Sequence, residues 1–482
     1  MIQRRGGVSS VFGAGAACAM LSGCLMQVVP VAQGDAAVND ATPVVDAAMP
    51  TPDAAMPTPD VTPTPDAVTP TPDASTPDPA QGAGSVDLLV VVDDSNSMTR
   101  GQDYLAANIN QTVMALLQRN GVRDVRVGVV STDLGTSGTT VPSCMGPRGD
   151  DGLLNPRVRG AATSARTLPR VEGGVFCEDE MLLAQNYITV STSDDGMAQY
   201  WRPTCQLRLG TGGCGIEQQL EAARRALITH GGAGGANAGF LRRDAALAIL
   251  ILTDEEDGSV RDCAEHDGIG ACDDARSVFD ITSSRWASYD MNLRFYNYEP
   301  GGAQDPTWPL ERYVDPSRPT RGFLGLKPGH PERVLFAAIT GVPIAVPRTA
   351  SGATDWDALL GTPAAGRPDD FNARDASRAF ADPMNASGPI SMRQHDADPM
   401  CASRLIPACR QHDTAPVAAC DQASQPFAWR ARRIAEVARR FDQSALCSGA
   451  ACGNGMVASI CGDNDGTPFA RFADMIARRV VR

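Results

Sequence analysis

Apolar and polar positions follow two rhythms along this chain, and the switches between them predict its architecture. Val86 to Val92 is an aliphatic run interrupted only by Asp87, the pattern of a strand buried on both faces. Asp103 to Gln118 then places Leu105, Ile109, Val113, Leu116 and Leu117 at helical spacing. Val125 to Ser131 reads as a second strand and Tyr187 to Val190 as a short edge strand. Ile216 to Ile228 carries a helical stripe of Leu220, Ala223 and Leu227, and Ala245 to Leu252 is the next buried strand. Ala275 to Ser288 is a predicted helix, Met291 to Tyr298 alternates as a strand does, and Arg333 to Thr340 is aliphatic again. Trp429 to Phe441 and Phe469 to Val480 have helical periodicity, with a last strand at Gly455 to Ile460 between them. Strand–helix–strand alternation of this kind predicts an α/β domain around a doubly wound, mostly parallel sheet.

Two stretches depart from both rhythms. From Leu25 to Ser85 the composition shifts to Pro, Thr, Asp and Ala, and Thr-Pro-Asp recurs at 51–53, 58–60, 64–66, 71–73 and 76–78. Such a segment lacks the aliphatic content for a core, and its prolines remove backbone donors. It is expected to be a disordered, extended stalk with a ceiling of roughly 190 Å at the polyproline II rise. Residues 345–430 are rich in Pro, Ala, Asp and Arg with weak periodicity, and read as a long irregular insertion. The expected organisation is therefore a targeting segment over 1–23, a linker over 24–85 and one elaborated domain over 86–482.

The targeting segment has a basic start at Arg4 and Arg5, followed by an apolar stretch from Val8 to Met20. That stretch is too short for an ordinary membrane span. It ends in Leu21-Ser22-Gly23-Cys24, which resembles the lipobox of bacterial lipoproteins. The resemblance implies a lipidated Cys24, attachment to a membrane through lipid only, and display in the bacterial envelope at the outer membrane or cell surface. Ordinary cleavage to a soluble secreted protein is the alternative.

Charge and cysteine content narrow the partners. With a formal net charge of -14 the chain is a poor match for nucleic acid and a good one for cations. Of 14 cysteines, Cys18 and Cys24 fall in the targeting segment, leaving an even set that implies disulfides in an exported protein. Connectivity is open; Cys205 with Cys214 and Cys263 with Cys272 are short-loop pairings. Zinc is disfavoured, because no Cys-x-x-Cys pair occurs and the five histidines are scattered.

The chemistry concentrates where the first strand ends, in Asp93-Asp94-Ser95-Asn96-Ser97. Open α/β sheets bind ligands at the carboxyl ends of their strands, and a carboxylate with two hydroxyls suits a hard divalent cation. Two further segments add oxygens: Gly210-Thr211-Gly212-Gly213-Cys214-Gly215 offers Thr211, and the strand ending Leu252-Thr253-Asp254 offers a second carboxylate. The Asp-x-Ser-x-Ser pattern, with a threonine and an aspartate following in this order, resembles the metal-ion-dependent adhesion site of von Willebrand factor type A domains. That resemblance implies a Rossmann-like fold and a metal site of Asp93, Ser95, Ser97, Thr211 and Asp254. Asp93 and Asp254 would act mostly through water and the hydroxyls directly, around Mg2+ (or Mn2+ or Ca2+). Thr132, after the second strand, competes with Thr211. Gly210 to Ala222 and Asn454 to Cys461 further resemble exported, cysteine-rich von Willebrand A lipoproteins of predatory or gliding soil bacteria.

Each motif also has a plainer reading. Ser95 and Ser97 suit a helix cap. Glu255, Glu256 and Asp257 read as a solvated acidic turn or as ligands of a second, calcium-like ion. Cys461 to Gly466 lacks the full calcium-loop spacing and reads as a turn, and Arg148-Gly149-Asp150 is assigned no role. No Gly-x-Ser-x-Gly elbow, Walker loop or dinucleotide fingerprint occurs. The expected function is that of a binding or adhesion protein, not an enzyme, recognising an acidic side chain of a protein partner through the cation. A hydrolase using the same cation and a structural envelope protein that binds without metal are the rivals.

Overall fold

The computed structural model describes most of residues 84–158, 181–262, 305–360 and 427–480, with short pieces near 276–282, 294–295 and 409–410. The expectations for the targeting segment, Cys24, nearly all of the stalk, Cys263 and Cys272 lie outside these residues, as does most of the 345–430 insertion. Among the described residues no helix is long and apolar enough to cross a membrane.

Six strands form one mixed sheet: β1 (Ser85–Val92), β2 (Asp124–Ser131), β3 (Tyr187–Ser191), β4 (Ala246–Leu252), β5 (Val334–Thr340) and β6 (Gly455–Ser459). Their spatial order is β6-β5-β4-β1-β2-β3, all parallel except the edge strand β3. The order reverses direction between β1 and β4, so their carboxyl ends border the crevice where such sheets take ligands. β1 and β4 are wholly buried, which explains why both read as aliphatic runs, β1 with Asp87 as its one interruption. Asp87, the one charge in β1, is fully buried and is held by Arg242 at 2.7 Å and by Lys327 at 3.5 Å.

Helices cover both faces. Leu88, Val90 and Val92 pack against α1 (Thr99–Leu117) and α6 (Thr467–Val480), with Cys205 of α2 (Met197–Gln206) beside them. Leu89 and Val91 face α3 (Gln219–Arg224) and α5 (Arg432–Gln443), and Trp356 of the short α4 (Trp356–Leu360) joins that layer. Successive residues of one strand feed opposite layers because strand side chains alternate. Two small antiparallel pairs, Arg157–Val158 with Met181–Leu182 and Cys409–Arg410 with Phe427–Ala428, lie apart from the main sheet.

Several predicted elements shift. α1 begins at Thr99, four residues before the expected start at Asp103. The helix expected over 216–228 is a short α3 continued by a π turn at Arg225–Thr229. Of the helix expected from Ala275 to Ser288, the few described residues show a 3-10 turn at Arg276–Phe279, and the rest lies outside the described residues. Of the strand expected at Met291 to Tyr298 only Arg294 and Phe295 are described, and these two are not extended; the rest lies outside the described residues. Arg294 donates to the Val278 carbonyl at 2.6 Å and Phe295 is buried with Val260 and Val278.

The cysteine pairing also differs. Cys214 is bonded to Cys144, across 70 residues, rather than to Cys205. Cys205 is itself disulfide-bonded. A second bridge joins Cys447 and Cys452. Cys214 meets Cys144 because tertiary packing brings the segment after β2 against the loop before α3.

Candidate functional site

Register decides what meets at the carboxyl edge of the sheet. Val92 lies level with Leu252 of β4 and Ser131 of β2, so Asp93, Thr253 and Thr132 are the first residues past three adjacent strands. Asp93 N donates to the Leu252 carbonyl at 3.0 Å, and Thr132 N to the Val92 carbonyl at 3.2 Å. The Asp93 carboxylate is fully buried. Its Oδ1 accepts from Ser95 N at 2.9 Å and its Oδ2 from Thr253 Oγ1 at 2.6 Å.

A chain of oxygens runs outward from there. Ser95 Oγ lies 3.0 Å from Ser97 Oγ, and Ser97 Oγ donates to Asp254 Oδ1 at 3.1 Å, across 157 residues. Neither the 3-10 turn Asn96–Met98 nor α1 has a side-chain cap bond at its start. The serine hydroxyls are therefore turned to the carboxylates and not spent on capping. Ser95 is buried while Ser97 is exposed, so the cluster opens to solvent on the Ser97 side.

Four of the five residues expected in the site are thus joined by contacts. Thr211 is not: no hydrogen bond links its hydroxyl to the others. Its loop is nevertheless held close. Gln102 of α1 donates to the carbonyls of Asp93 (3.0 Å) and Gly210 (2.7 Å) and accepts from Gly210 N (3.2 Å). Gly213 N donates to the Asp94 carbonyl at 3.0 Å, and a Cβ on Gly213 would collide with the Asp94 carboxylate. Thr132, the competitor of Thr211, directs its hydroxyl to Glu217.

Sequence reasoning missed Asp94 and Glu217 as members of this acidic cluster. Glu217 is 1% exposed and Asp94 8%, and one carboxylate oxygen of each (Oε1 and Oδ1) is buried with no hydrogen-bond partner. The available signal for Glu217 was a charge set between Ile216 and Leu220 at the start of a buried helix. Among the described residues no ion pair reaches Asp93, Asp94, Asp133, Glu217 or Asp254, although buried carboxylates ordinarily find one.

The consequence is electrostatic. Burial, then Asp133, Asp93 and Asp150, pushes Asp94 up to about 8, and burial followed by Asp93 pushes Asp254 up to about 8. Burial raises Asp93 against the hydrogen bonds from Thr253 and Ser95. Burial, then Asp93, Glu255 and Asp94, raises Glu217 well above the usual carboxylate range. Oxygen donors, mutually destabilised carboxylates and orphaned buried oxygens are what a hard cation would relieve. Among the described residues no three His, Cys, Asp or Glu side chains group closely enough to hold an ion between themselves, so any such site depends on the serine hydroxyls and on water.

In the neighbouring acidic run, Glu256 and Asp257 are not solvated and are already committed to arginines. Glu256 is buried and accepts from the backbone N–H groups of Arg432 and Arg433 at the start of α5, both at 3.0 Å. Asp257 is fully buried, pairs with Arg433 at 2.9 Å, and accepts from Leu220 N at 3.0 Å. These two carboxylates fix α5 and α3 to the loop after β4. Asp463 to Asp465, in the calcium-loop-like stretch, lie outside the described residues. No protein-family model matches this chain, and no curated protein matches it either.

Proposed function

We propose that this chain is a divalent-cation-dependent binding protein of the von Willebrand A type, exported and lipid-anchored at Cys24. In this reading it recognises an acidic side chain on a protein partner. Asp93, Ser95, Ser97 and Asp254 would hold the cation, Mg2+ first and Mn2+ or Ca2+ otherwise. The observation that carries the reading is the Ser95–Ser97–Asp254 contact, which joins hydroxyls and a carboxylate from strands adjacent in space and 157 residues apart in sequence. The strand order and the absence of serine capping support it.

A bound cation supplies an electrophilic position for an anionic oxygen, since hard cations prefer such ligands. The protein's part is to fix Asp93, through Gln102 and Thr253, behind the serine hydroxyls at an edge that opens beside Ser97. A hydrolase would need a general base at that opening. Glu256 and Asp257, two of its three candidates, are committed to arginines, which favours binding over turnover.

Calorimetric titration of Mg2+ into the purified protein tests the reading. The double variant Ser95→Ala/Ser97→Ala should lose at least about ten-fold in affinity while keeping its far-ultraviolet circular dichroism. Unchanged affinity would refute the site. Acidic peptides should then be retained by the wild type in Mg2+ and released by chelator.

A further inference from the structure

The loop between Gly210 and Gln218 reaches the sheet edge through a residue other than its threonine. Glu217 is 1% exposed, with Oε2 taking the Thr132 hydroxyl and Oε1 left without a partner. Thr132 is anchored by its own N–H to Val92, the residue before Asp93. One residue further on, Gln218 N donates to the Thr132 carbonyl at 3.2 Å. Gln219 Nε2 then donates to Thr253 Oγ1 at 2.9 Å, and Thr253 in turn donates to Asp93. Glu217 is thus fastened through Thr132 to the end of β1, and its neighbour Gln219 through Thr253 to Asp93, while the carboxylates of Asp93, Glu255 and Asp94 act on it electrostatically.

From this arrangement we propose that Glu217, not Thr211, is the contribution of the third loop to the cation site. Its free oxygen accepts a hydrogen bond from a water on the ion, and its charge helps retain the ion. The inference rests on the cation reading above and changes its membership. A full carboxylate buried beside Asp93 without a counter-charge is costly, and a dication one water away removes that cost. Thr211 is partly exposed and makes no such contact.

The test is a Mg2+ titration of the full-length chain by calorimetry, with Glu217→Gln, Thr211→Ala and Ser95→Ala/Ser97→Ala in parallel. Glutamine preserves the shape and an oxygen for the Thr132 bond while removing the charge. Glu217→Gln should weaken Mg2+ by about ten-fold or more, the usual effect of losing an outer partner, and Thr211→Ala by less than about two-fold. A thermal melt in chelator checks that Glu217→Gln folds. The rise in melting temperature on adding Mg2+ then gives affinity a second readout.

If Glu217→Gln binds like the wild type while the serine variant does not, the Glu217 assignment falls and the cation reading stands. The assignment is equally overturned if Thr211→Ala is the variant that loses binding. If the serine variant also binds normally, the cation reading itself fails and takes this inference with it.

Discussion

Thr253 donates its hydroxyl hydrogen to Asp93 Oδ2 at 2.6 Å. The strand that delivers Asp254 therefore also orients the carboxylate at the end of its neighbour. The same Thr253 oxygen accepts from Gln219 and from Glu255 N, so one hydroxyl ties β1, β4 and the segment entering α3 into a single frame.

Thr253→Val tests that frame. Valine keeps the shape but strands a buried carboxylate oxygen and the Gln219 amide, so about 1–3 kcal/mol of stability should be lost. Urea denaturation in chelator measures it. A loss within error of zero means that water replaces the hydroxyl without cost.

Gly213 and Gly212 form a natural contrast. A Cβ at Gly213 would meet the Asp94 carboxylate and force the loop outward, whereas a Cβ at Gly212 has nothing within 4 Å. Gly213→Ala should weaken Mg2+ binding and lower the melting temperature, while Gly212→Ala should change neither. Equal behaviour of the two variants would show that the loop is free to relax.

The raised carboxylates predict an unusual pH dependence for the metal-free protein. Asp94 and Asp254 lie at about 8 in the folded state against 3.8 ordinarily. Between those values the folded chain holds protons that the unfolded chain has released, so stability falls as pH rises, until the pH passes the folded value. In chelator, melting temperature should be higher at about pH 5.5 than at about pH 8.5. Asp94→Asn should flatten that slope. Saturating Mg2+ should flatten it too, because the cation then does the work of the protons. A metal-free melting temperature that rises with pH over this range contradicts the assignment.

Beneath the site, Glu221 accepts from Arg312 at 2.9 and 3.0 Å and from Tyr313 OH at 3.1 Å, with Arg312 fully buried and stacked on Trp308. Removing Arg312 leaves buried Glu221 with the longer 3.4 Å pairing to Arg224, so Arg312→Met should cost about 3–5 kcal/mol or abolish folding. The double variant Glu221→Leu/Arg312→Met should recover part of that loss in a denaturation series.

Much of this was legible in the sequence for local reasons. A strand buried on both faces is apolar at nearly every position, so β1, β4 and β5 announce themselves, and the polar run from Asp93 marks where the strand ends. The Asp93-x-Ser95-x-Ser97 spacing sits within one loop and needs no distant information. What tertiary structure alone decided are pairings between remote segments. These include the bond of Glu217 to Thr132, the union of Cys214 with Cys144, and the capture of Glu256 and Asp257 by Arg432 and Arg433. Residue type fixes what a side chain is able to bond. Sheet order and register fix which partner lies within the 3 Å or so that a hydrogen bond requires, and spacing along the chain carries no record of either.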